Sequence, residues 1–124
     1  MNSQTGAINF IKGMPFSDGY VAGKTLYVAG QQGPDSSGKL TGIDIAQQTT
    51  NAIATVKKVV EEAGFVMSDI VSVMVYFTDL NDVPGMNAVY KALIPDPKPA
   101  RVAVQVAGLI GGAKIEISVI AVKH

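Results

Sequence analysis

The sequence has no cysteine and no tryptophan, and its single histidine, His124, is the last of 124 residues. Without cysteine the chain can form no disulfide bond, thiolate zinc site or cysteine nucleophile. The lone histidine and the lack of a G-x-S-x-G segment also exclude serine hydrolase chemistry. The acidic residues are scattered rather than set at ligand spacing, so we expect no metal site.

Neither sign of charge is in excess, because ten lysines and arginines balance ten aspartates and glutamates. No Lys/Arg-rich run marks a surface for nucleic acid or for anionic lipid, so we expect neither partner. The start, MNSQTGAINF, lacks the basic and apolar regions of a signal peptide. No window approaches the roughly 18 apolar residues of a membrane span. We therefore expect a soluble, cytoplasmic protein.

The composition, with 48% hydrophobic and 16% charged residues, is typical of one compact domain, which we predict over 1–124. Short apolar runs at 7–12 and 25–29 predict strands, with a hairpin between them, and the Gly/Pro/Asp/Ser-rich stretch 31–42 predicts a surface loop. Asp44 and Gln47 resemble a capping box for a long helix that ends at Gly64. Its inward stripe consists of Ile45, Thr49, Ile53, Val56, Val60 and Ala63.

The second half of the chain predicts three strands and one helix. IVSVMVYF at 70–77 is apolar on both alternating faces, which predicts a central strand covered on both sides. Asp82 is a candidate cap for a helix with Pro84 in its first turn, ended by PDPKPA at 95–100. Its inward stripe consists of Val83, Met86, Tyr90 and Leu93. Strands at 101–107 and 113–122 are predicted to form a closing hairpin.

The resulting order, β-β-α-β-α-β-β, predicts an α+β domain with the helices on one face of the sheet. The other face of the strands at 70–77 and 113–122 is too apolar for water, and one chain of this length has no third layer to cover it. Self-association is the simplest way to bury that face.

GYVAGKT at 19–25 is similar to a phosphate-binding loop, which also ends in Gly-Lys-Thr. Only three residues separate its two glycines, whereas the phosphate loop requires four. The segment also leads into a strand rather than a helix. A hairpin turn is therefore the favoured interpretation.

Two charged residues of the closing strands are candidates for a site. Arg101 opens an apolar strand directly after PDPKPA, where a fixed backbone can project it into a cleft, although a solvated surface arginine fits the sequence as well. Glu116 lies between Ile115 and Ile117, where burying an unpartnered carboxylate is costly. In the predicted hairpin Glu116 lies roughly opposite Val104, which would bring both charges to one mouth.

Seven segments, in order along almost the whole chain, resemble the Rid family, also called YjgF-type proteins. No single segment is specific, but the collinear set is. The segments are PFSDGYVAG at 15–23, VAGQQG at 28–33, VVEEAG at 59–64, VYFTDLND at 75–82, MNAVYKAL at 86–93, PAR at 99–101 and KIEI at 114–117.

The resemblance implies a chorismate-mutase-like α+β fold and a homotrimer whose sheets form a central barrel, with three clefts between subunits. It also implies hydrolysis of enamine and imine acids such as 2-aminoacrylate and its tautomer 2-iminopropionate, which gives a 2-keto acid and ammonia. The implied ligand is thus a small 2-imino or 2-keto acid, and no cofactor takes part.

The resemblance also assigns roles to residues. Arg101 matches the family arginine that grips the substrate carboxylate, a bidentate task for which lysine is a poor replacement. Glu116 matches the glutamate that orients or activates water. Asn87 matches the helix asparagine that lines the cleft, and Gly30 matches a backbone position near the ligand, where the lack of a side chain permits close approach.

Three further binding positions depart from the RidA subgroup: Phe16 replaces a tyrosine, Ala29 a serine and Ala103 a frequent cysteine. The two missing hydroxyls leave open an enzyme with weaker activity or a different substrate, and also a non-catalytic small-carboxylate-binding or holdase protein on the same scaffold. Ribonuclease or translation inhibitor, a label attached to some relatives, is disfavoured by the neutral charge and the lack of a histidine pair.

Overall fold

The computed structural model describes residues 6–124; residues 1–5, part of the segment in which no signal peptide is expected, lie outside this range. Its strands form one sheet in the order β1-β2-β3-β6-β4-β5, antiparallel throughout except for the parallel pair β4 and β5. Two helices pack on this sheet, so the predicted α+β class is confirmed. The elements are β1 Gly6–Ile8, β2 Gly19–Ala22, β3 Thr25–Gln31, α1 Ile45–Glu62, β4 Ile70–Phe77, α2 Val83–Leu93, β5 Ala100–Gln105 and β6 Ile115–Val122.

Helix α1 begins and ends where its sequence predicts. The Asp44 side chain accepts a hydrogen bond from the backbone N–H of Gln47 at 2.9 Å, and Gly64 follows the helix at φ +82°, a conformation that favours glycine. The predicted stripe is buried from Thr49 to Ala63, and Ile45 packs at its margin. In residues 6–124 no helix is long and apolar enough to cross a membrane.

Helix α2 lies where its sequence predicts, with Asp82 at the N-cap position and Pro84 in the first turn, but its contacts differ from the prediction at both ends. Asp82 makes no capping hydrogen bond; instead Asp79 accepts from the backbone of Asn81 in a short 3-10 turn, Leu80–Asp82, that leads into the helix. Met86 and Tyr90 are buried as predicted, but Leu93 is 45% exposed, and Ile94 just beyond the helix is buried in its place. The inward stripe shifts by one residue because the chain turns into extended backbone at Ile94.

The N-terminal strands also differ in length. The predicted strand 7–12 is limited to β1, because the chain leaves the sheet at Asn9 for a loop in which Phe10 N–H donates to the Asp18 carboxylate at 3.0 Å. The chain re-enters the sheet as β2, which the sequence indicated only as part of a hairpin. GYVAGKT forms the β2–β3 hairpin as favoured, with Gly23 at φ +60° in the turn.

The predicted hairpin of the last two strands is wrong. Strand β6 lies between β3 and β4, while β5 pairs only with β4, in parallel, at the sheet edge. The burial of the two strands agrees with this order, because alternate residues of the central strand β6 are buried, whereas the edge strand β5 is mostly exposed. Between them Gly111 and Gly112, both at positive φ, redirect the chain in a short 3-10 turn.

The sheet has two unlike faces. Alternate side chains of the central strands pack against the helices and form the core, from Leu26 on β3 to Phe77 on β4. The opposite face carries apolar side chains that remain exposed or half-exposed, and its residues include Tyr20, Tyr27, Met74, Tyr76, Val102, Val104 and Ile120. We call the first the helix face and the second the open face.

Candidate active site

Arg101 lies on the helix face, at the edge of the sheet. It is the register partner of buried Val73 on β4, so the two side chains share a face. Its Nη1 donates to Oδ1 of Asn87 at 2.8 Å, and its Cζ lies 4.7 Å from the centroid of the Tyr90 ring. In the described range no Asp or Glu forms an ion pair with this guanidinium. Its charge is therefore available to an anion.

Helix α2 explains why Arg101 is held there. Asn87 and Tyr90 are three residues apart, which puts both on the same side of the helix, toward β5. Asn87 accepts a hydrogen bond from the planar guanidinium of Arg101, and the Tyr90 ring provides an aromatic surface for it. Burial raises the pKa of the Tyr90 phenol, and the charge of Arg101 opposes that rise. The Tyr90 hydroxyl is buried and has no hydrogen-bond partner in the described part of the chain.

Glu116 lies on the open face, next to Tyr76 of β4 in the register. Its carboxylate packs directly over the backbone of Gly30, where an added Cβ would lie 2.2 Å from Oε2. The side-chain amide of Gln32 donates to Oε1 at 3.0 Å. Gly30 therefore does permit a close approach, and in this chain the group that approaches is the Glu116 side chain.

A cavity of about 570 Å³ adjoins Glu116. Phe16, Met14 and Ile110 give it apolar walls, and Ala29 and Gly30 line it from β3. Neither Phe16 nor Ala29 supplies a hydroxyl. The polar groups of its lining include the carboxylate of Glu116 and the amides of Gln31 and Gln32. A small ligand with one apolar end and one polar end suits such a lining.

Within one protomer the residues predicted for the site form two separate groups. Arg101, Asn87 and Ala103 belong to the helix face, and Ala103 packs against the core. Glu116, Gly30, Ala29 and Phe16 surround the cavity beside the open face. The expectation that Arg101 and Glu116 meet at one mouth of a hairpin is wrong for a single chain. With β4 between their strands, Arg101 is beside Val73 and Glu116 beside Tyr76, three residues on and thus on the opposite face.

Sequence reasoning missed Gln32 and the stacking surface of Tyr90. Gln32 stands in a stretch read as a surface loop, and its contact with Glu116 spans 84 residues of chain. The one signal for Tyr90 was its spacing of three residues from Asn87 on a helix. In residues 6–124 no three His, Asp or Glu side chains lie together in a group that could hold a metal ion.

Comparison with known proteins agrees with the fold and the motifs. The family model described as Endoribonuclease L-PSP matches residues 9–123. A RutC family protein of Pyrococcus abyssi is 42% identical over 111 residues, covering 89% of this chain and 87% of that protein. The human 2-iminobutanoate/2-iminopropanoate deaminase is 34% identical over 110 residues, covering 88% of this chain and 80% of that protein.

Solved structures show the same likeness. The YjgF gene product of E. coli is 35% identical, with a TM-score of 0.87, and the match covers 98% of this chain and 100% of that one. E. coli TdcF with bound serine is 33% identical, with a TM-score of 0.85, covering 95% and 94% of the two chains. The resemblance drawn from seven sequence segments is thereby confirmed. The chain belongs to the Endoribonuclease L-PSP family, which includes the YjgF, RidA and RutC proteins.

Proposed function

We propose that this protein hydrolyses small 2-imino acids to 2-keto acids and ammonia, in clefts that form between the protomers of a homotrimer. The observation that carries the proposal is the separation of Arg101 and Glu116 onto opposite faces of one sheet. One protomer cannot bring them to a common ligand. Two adjacent protomers can, if the helix-face edge of one, with Arg101, meets the open face of the next, with Glu116.

Arg101 binds the carboxylate of the substrate in this proposal. Its guanidinium has no acidic partner in the described residues, is oriented by Asn87 at 2.8 Å and rests on the Tyr90 ring. A fixed, planar donor pair is the geometry that carboxylates select. Holding the carboxylate sets the position of the neighbouring imine carbon relative to Glu116.

Glu116 transfers the protons. Water adds to the imine carbon while the Glu116 carboxylate takes one of its protons and passes it to the imine nitrogen, which gives a tetrahedral amino alcohol. The carboxylate then takes the hydroxyl proton and returns it to the nitrogen as the C–N bond breaks. Ammonia leaves, the carbon becomes a ketone, and Glu116 ends in its starting state. The imine carbon is already electrophilic, so positioning and proton transfer are sufficient.

The trimer rests on the open face. Tyr20, Tyr27 and Ile120 form a continuous apolar row across β2, β3 and β6, and Tyr20 and Tyr27 are each about half exposed. Val102 and Val104 extend apolar surface to the other edge of the sheet. An apolar face of this extent is typical of an interface between subunits. Sedimentation should give three times the mass of one chain, and a stable monomer at micromolar concentration would remove the shared-cleft proposal.

Relatives support the same chemistry. Proteins 34% identical to this chain from Homo sapiens and Bos taurus are named 2-iminobutanoate/2-iminopropanoate deaminases. The TdcF structure holds serine, a small amino acid whose carboxylate resembles that of a 2-imino acid. Both support a ligand that presents a carboxylate and a nitrogen on the adjacent carbon.

The test generates imines in situ from several amino acids with an amino-acid oxidase and follows their decay. The intact protein should accelerate the loss of at least one imine and release ammonia and 2-keto acid in equal amounts. Boiled protein and the oxidase alone are the controls. Unchanged decay of every imine would leave the activity without support.

A second candidate is non-catalytic binding of a small carboxylate on the same scaffold. The observation that favours it is the cavity lining, where Phe16 and Ala29 bring no hydroxyl to hold water or ligand. This candidate requires 2-keto acid binding at Arg101 without acceleration of imine loss. The oxidase assay and a calorimetric titration with 2-oxobutanoate separate the two functions.

A further inference from the structure

We propose that Gln32 is a positioning residue of this site: its side-chain amide fixes one oxygen of Glu116 so that the other remains free to exchange protons with water. The inference deepens the proposed function and rests on it. Gln32 lies in the segment VAGQQG at 28–33, where the resemblance gave it no role, and the inference comes from the contacts that its side chain and backbone make.

The side-chain amide nitrogen of Gln32 donates two hydrogen bonds, which use both of its hydrogens. Its Nε2 donates to Oε1 of Glu116 at 3.0 Å and to the backbone carbonyl of Ile110, also at 3.0 Å. An amide nitrogen has two hydrogens, and both acceptors here lack hydrogens of their own, so the orientation of the amide is determined. Gln32, directly after β3, therefore links the start of β6 and the glycine-rich turn before β6.

The backbone of Gln32 is fixed as well. Its carbonyl shares the single proton of the Thr55 hydroxyl of α1, at 3.2 Å, with the carbonyl of Ala52, at 2.8 Å. The next residue, Gly33, lies against the same helix so closely that an added Cβ would be 2.0 Å from the carbonyl oxygen of Gln48. Only glycine allows this approach. The donor that meets Glu116 is thus held by a rigid segment before any ligand arrives.

The second oxygen of Glu116 remains available. Oε2 lies over Gly30 and accepts no hydrogen bond from the rest of the described chain. A glutamate side chain with free rotamers would have to be ordered during each turnover, which raises the barrier. The hydrogen bond to Oε1 removes that cost and orients Oε2. Removal of a side chain that orients a functional group commonly lowers activity by about 10- to 100-fold.

The test replaces Gln32 by methionine, which keeps the length of the side chain and loses both donors. Gln32→Met should lower kcat for the best imine by about 10- to 100-fold while KM and the affinity for 2-oxobutanoate stay within about 3-fold. Gln47→Met, at an exposed glutamine of α1, is the matched control and should leave kcat unchanged. Thermal unfolding of both variants checks that the fold is retained.

A double-mutant cycle separates positioning from a merely structural role. If Gln32 acts through Glu116, adding Gln32→Met to Glu116→Gln should change the residual rate by less than about 2-fold, because the group being positioned is already lost. An equal loss of kcat in both backgrounds, or an unchanged kcat in the single variant, would overturn the inference.

A third measurement does not depend on activity. The side-chain amide resonances of Gln32 should move in Glu116→Ala, whereas those of Gln47 should not. If the parent hydrolyses no imine, the proposed function fails and the catalytic role of Gln32 fails with it. If the parent is active but the Gln32 resonances do not move, the inference alone fails.

Discussion

The two faces of the sheet solve the same problem, the burial of polar groups beside apolar strands, in opposite ways. On the helix face, both the amide nitrogen and the amide oxygen of the fully buried Gln48 side chain form hydrogen bonds. The nitrogen donates to the carbonyls of Leu40 and Ile43, and the oxygen accepts from the N–H of Lys114. On the open face Gln32 satisfies only one oxygen of Glu116. The hydrogen bonds of Gln48 stabilise the fold, whereas the Gln32–Glu116 pair leaves one carboxylate oxygen for the proposed chemistry.

The same comparison bears on the proposed function, in which each face of one protomer carries half of the site. A cation and a carboxylate on the same face of one chain would pair with each other and satisfy both charges. Their separation leaves Arg101 free for an external anion and Oε2 of Glu116 free for water. In the proposed trimer, a cleft shared between protomers would join the two halves around a ligand.

Loss of the helix-face half should have the largest effect. Arg101→Ala should lower kcat/KM for imine hydrolysis by about 10²- to 10⁴-fold, because two charge-assisted hydrogen bonds contribute about 1.5–3 kcal/mol each. Arg101→Lys should rescue little, since an ammonium lacks the planar donor pair. Lys91→Ala removes an exposed cation from the same helix region and serves as the control. Near-normal rates in Arg101→Ala would exclude the proposal that Arg101 binds the substrate carboxylate.

Loss of the open-face half should affect turnover and spare binding. Glu116→Gln keeps the shape of the side chain and loses its basicity, so kcat should fall by about 10²-fold. The affinity for 2-oxobutanoate, measured by calorimetry, should stay within about 3-fold, because the carboxylate is bound by Arg101. Parental rates in this variant would make Glu116 a structural residue and move proton transfer to another group.

Mixing the two inactive variants tests whether the halves belong to different protomers. Co-refolded Arg101→Ala and Glu116→Gln subunits should recover about one quarter of the parental activity, because random assembly pairs an intact arginine with an intact glutamate in that fraction of clefts. Each variant refolded alone should stay inactive. No recovery from stable mixed oligomers, identified by mass spectrometry, would contradict a site shared between subunits.

The sequence predicted local structure well and long-range pairing poorly. The three- and four-residue spacing of α1 and its Asp44 cap are local properties, and both are confirmed. The β5–β6 hairpin was inferred from adjacency along the chain, but β6 pairs with β3 at one edge and with β4 at the other. Pairing over such distances depends on the total apolar surface that each strand must cover, which no local pattern contains.

The candidate site divides in the same way. The resemblance of motifs identified Arg101 and Glu116 as candidate site residues. The face of the sheet on which each side chain lies depends on the strand order, and the hairpin prediction gave the wrong order. Gln32 and Asp82 illustrate the limit at single positions. A glutamine in a loop carries no spacing that relates it to a strand 84 residues away. Of two aspartates three residues apart, Asp79 caps its turn and Asp82 does not, because the 3-10 turn Leu80–Asp82 precedes the helix.

A smaller effect should follow from restoring a hydroxyl beside the open-face cavity. Phe16→Tyr adds a donor and acceptor at the cavity wall, where one hydrogen bond to water or ligand contributes about 0.5–1.5 kcal/mol. Activity on small imines should be retained or rise by up to about 10-fold. Phe10→Tyr, in the same loop but outside the cavity lining, is the matched control. A 10-fold loss in Phe16→Tyr would indicate that the apolar wall itself selects the substrate.

The smallest effect concerns the helix face, where the Tyr90 hydroxyl is buried and finds no hydrogen-bond partner among residues 6–124. Tyr90→Phe keeps the ring under Arg101 and removes that hydroxyl, so the free energy of unfolding should rise by about 1 kcal/mol near pH 7. Burial raises the pKa of Tyr90 above 10.0, so the folded state holds the phenol proton more tightly than the unfolded state does. The stability that this contributes is complete below the unfolded pKa and is lost as pH rises through the folded pKa.

The advantage of Tyr90→Phe should therefore grow above about pH 10, because phenylalanine has no proton to lose. Urea unfolding of parent and variant at neutral and alkaline pH measures this difference directly. A difference that stays constant with pH would mean that the Tyr90 phenol ionises as easily in the folded as in the unfolded chain, which requires solvent or a partner at its hydroxyl. The Tyr90 hydroxyl on the helix face would then be less buried than the contact of its ring with Arg101 indicates.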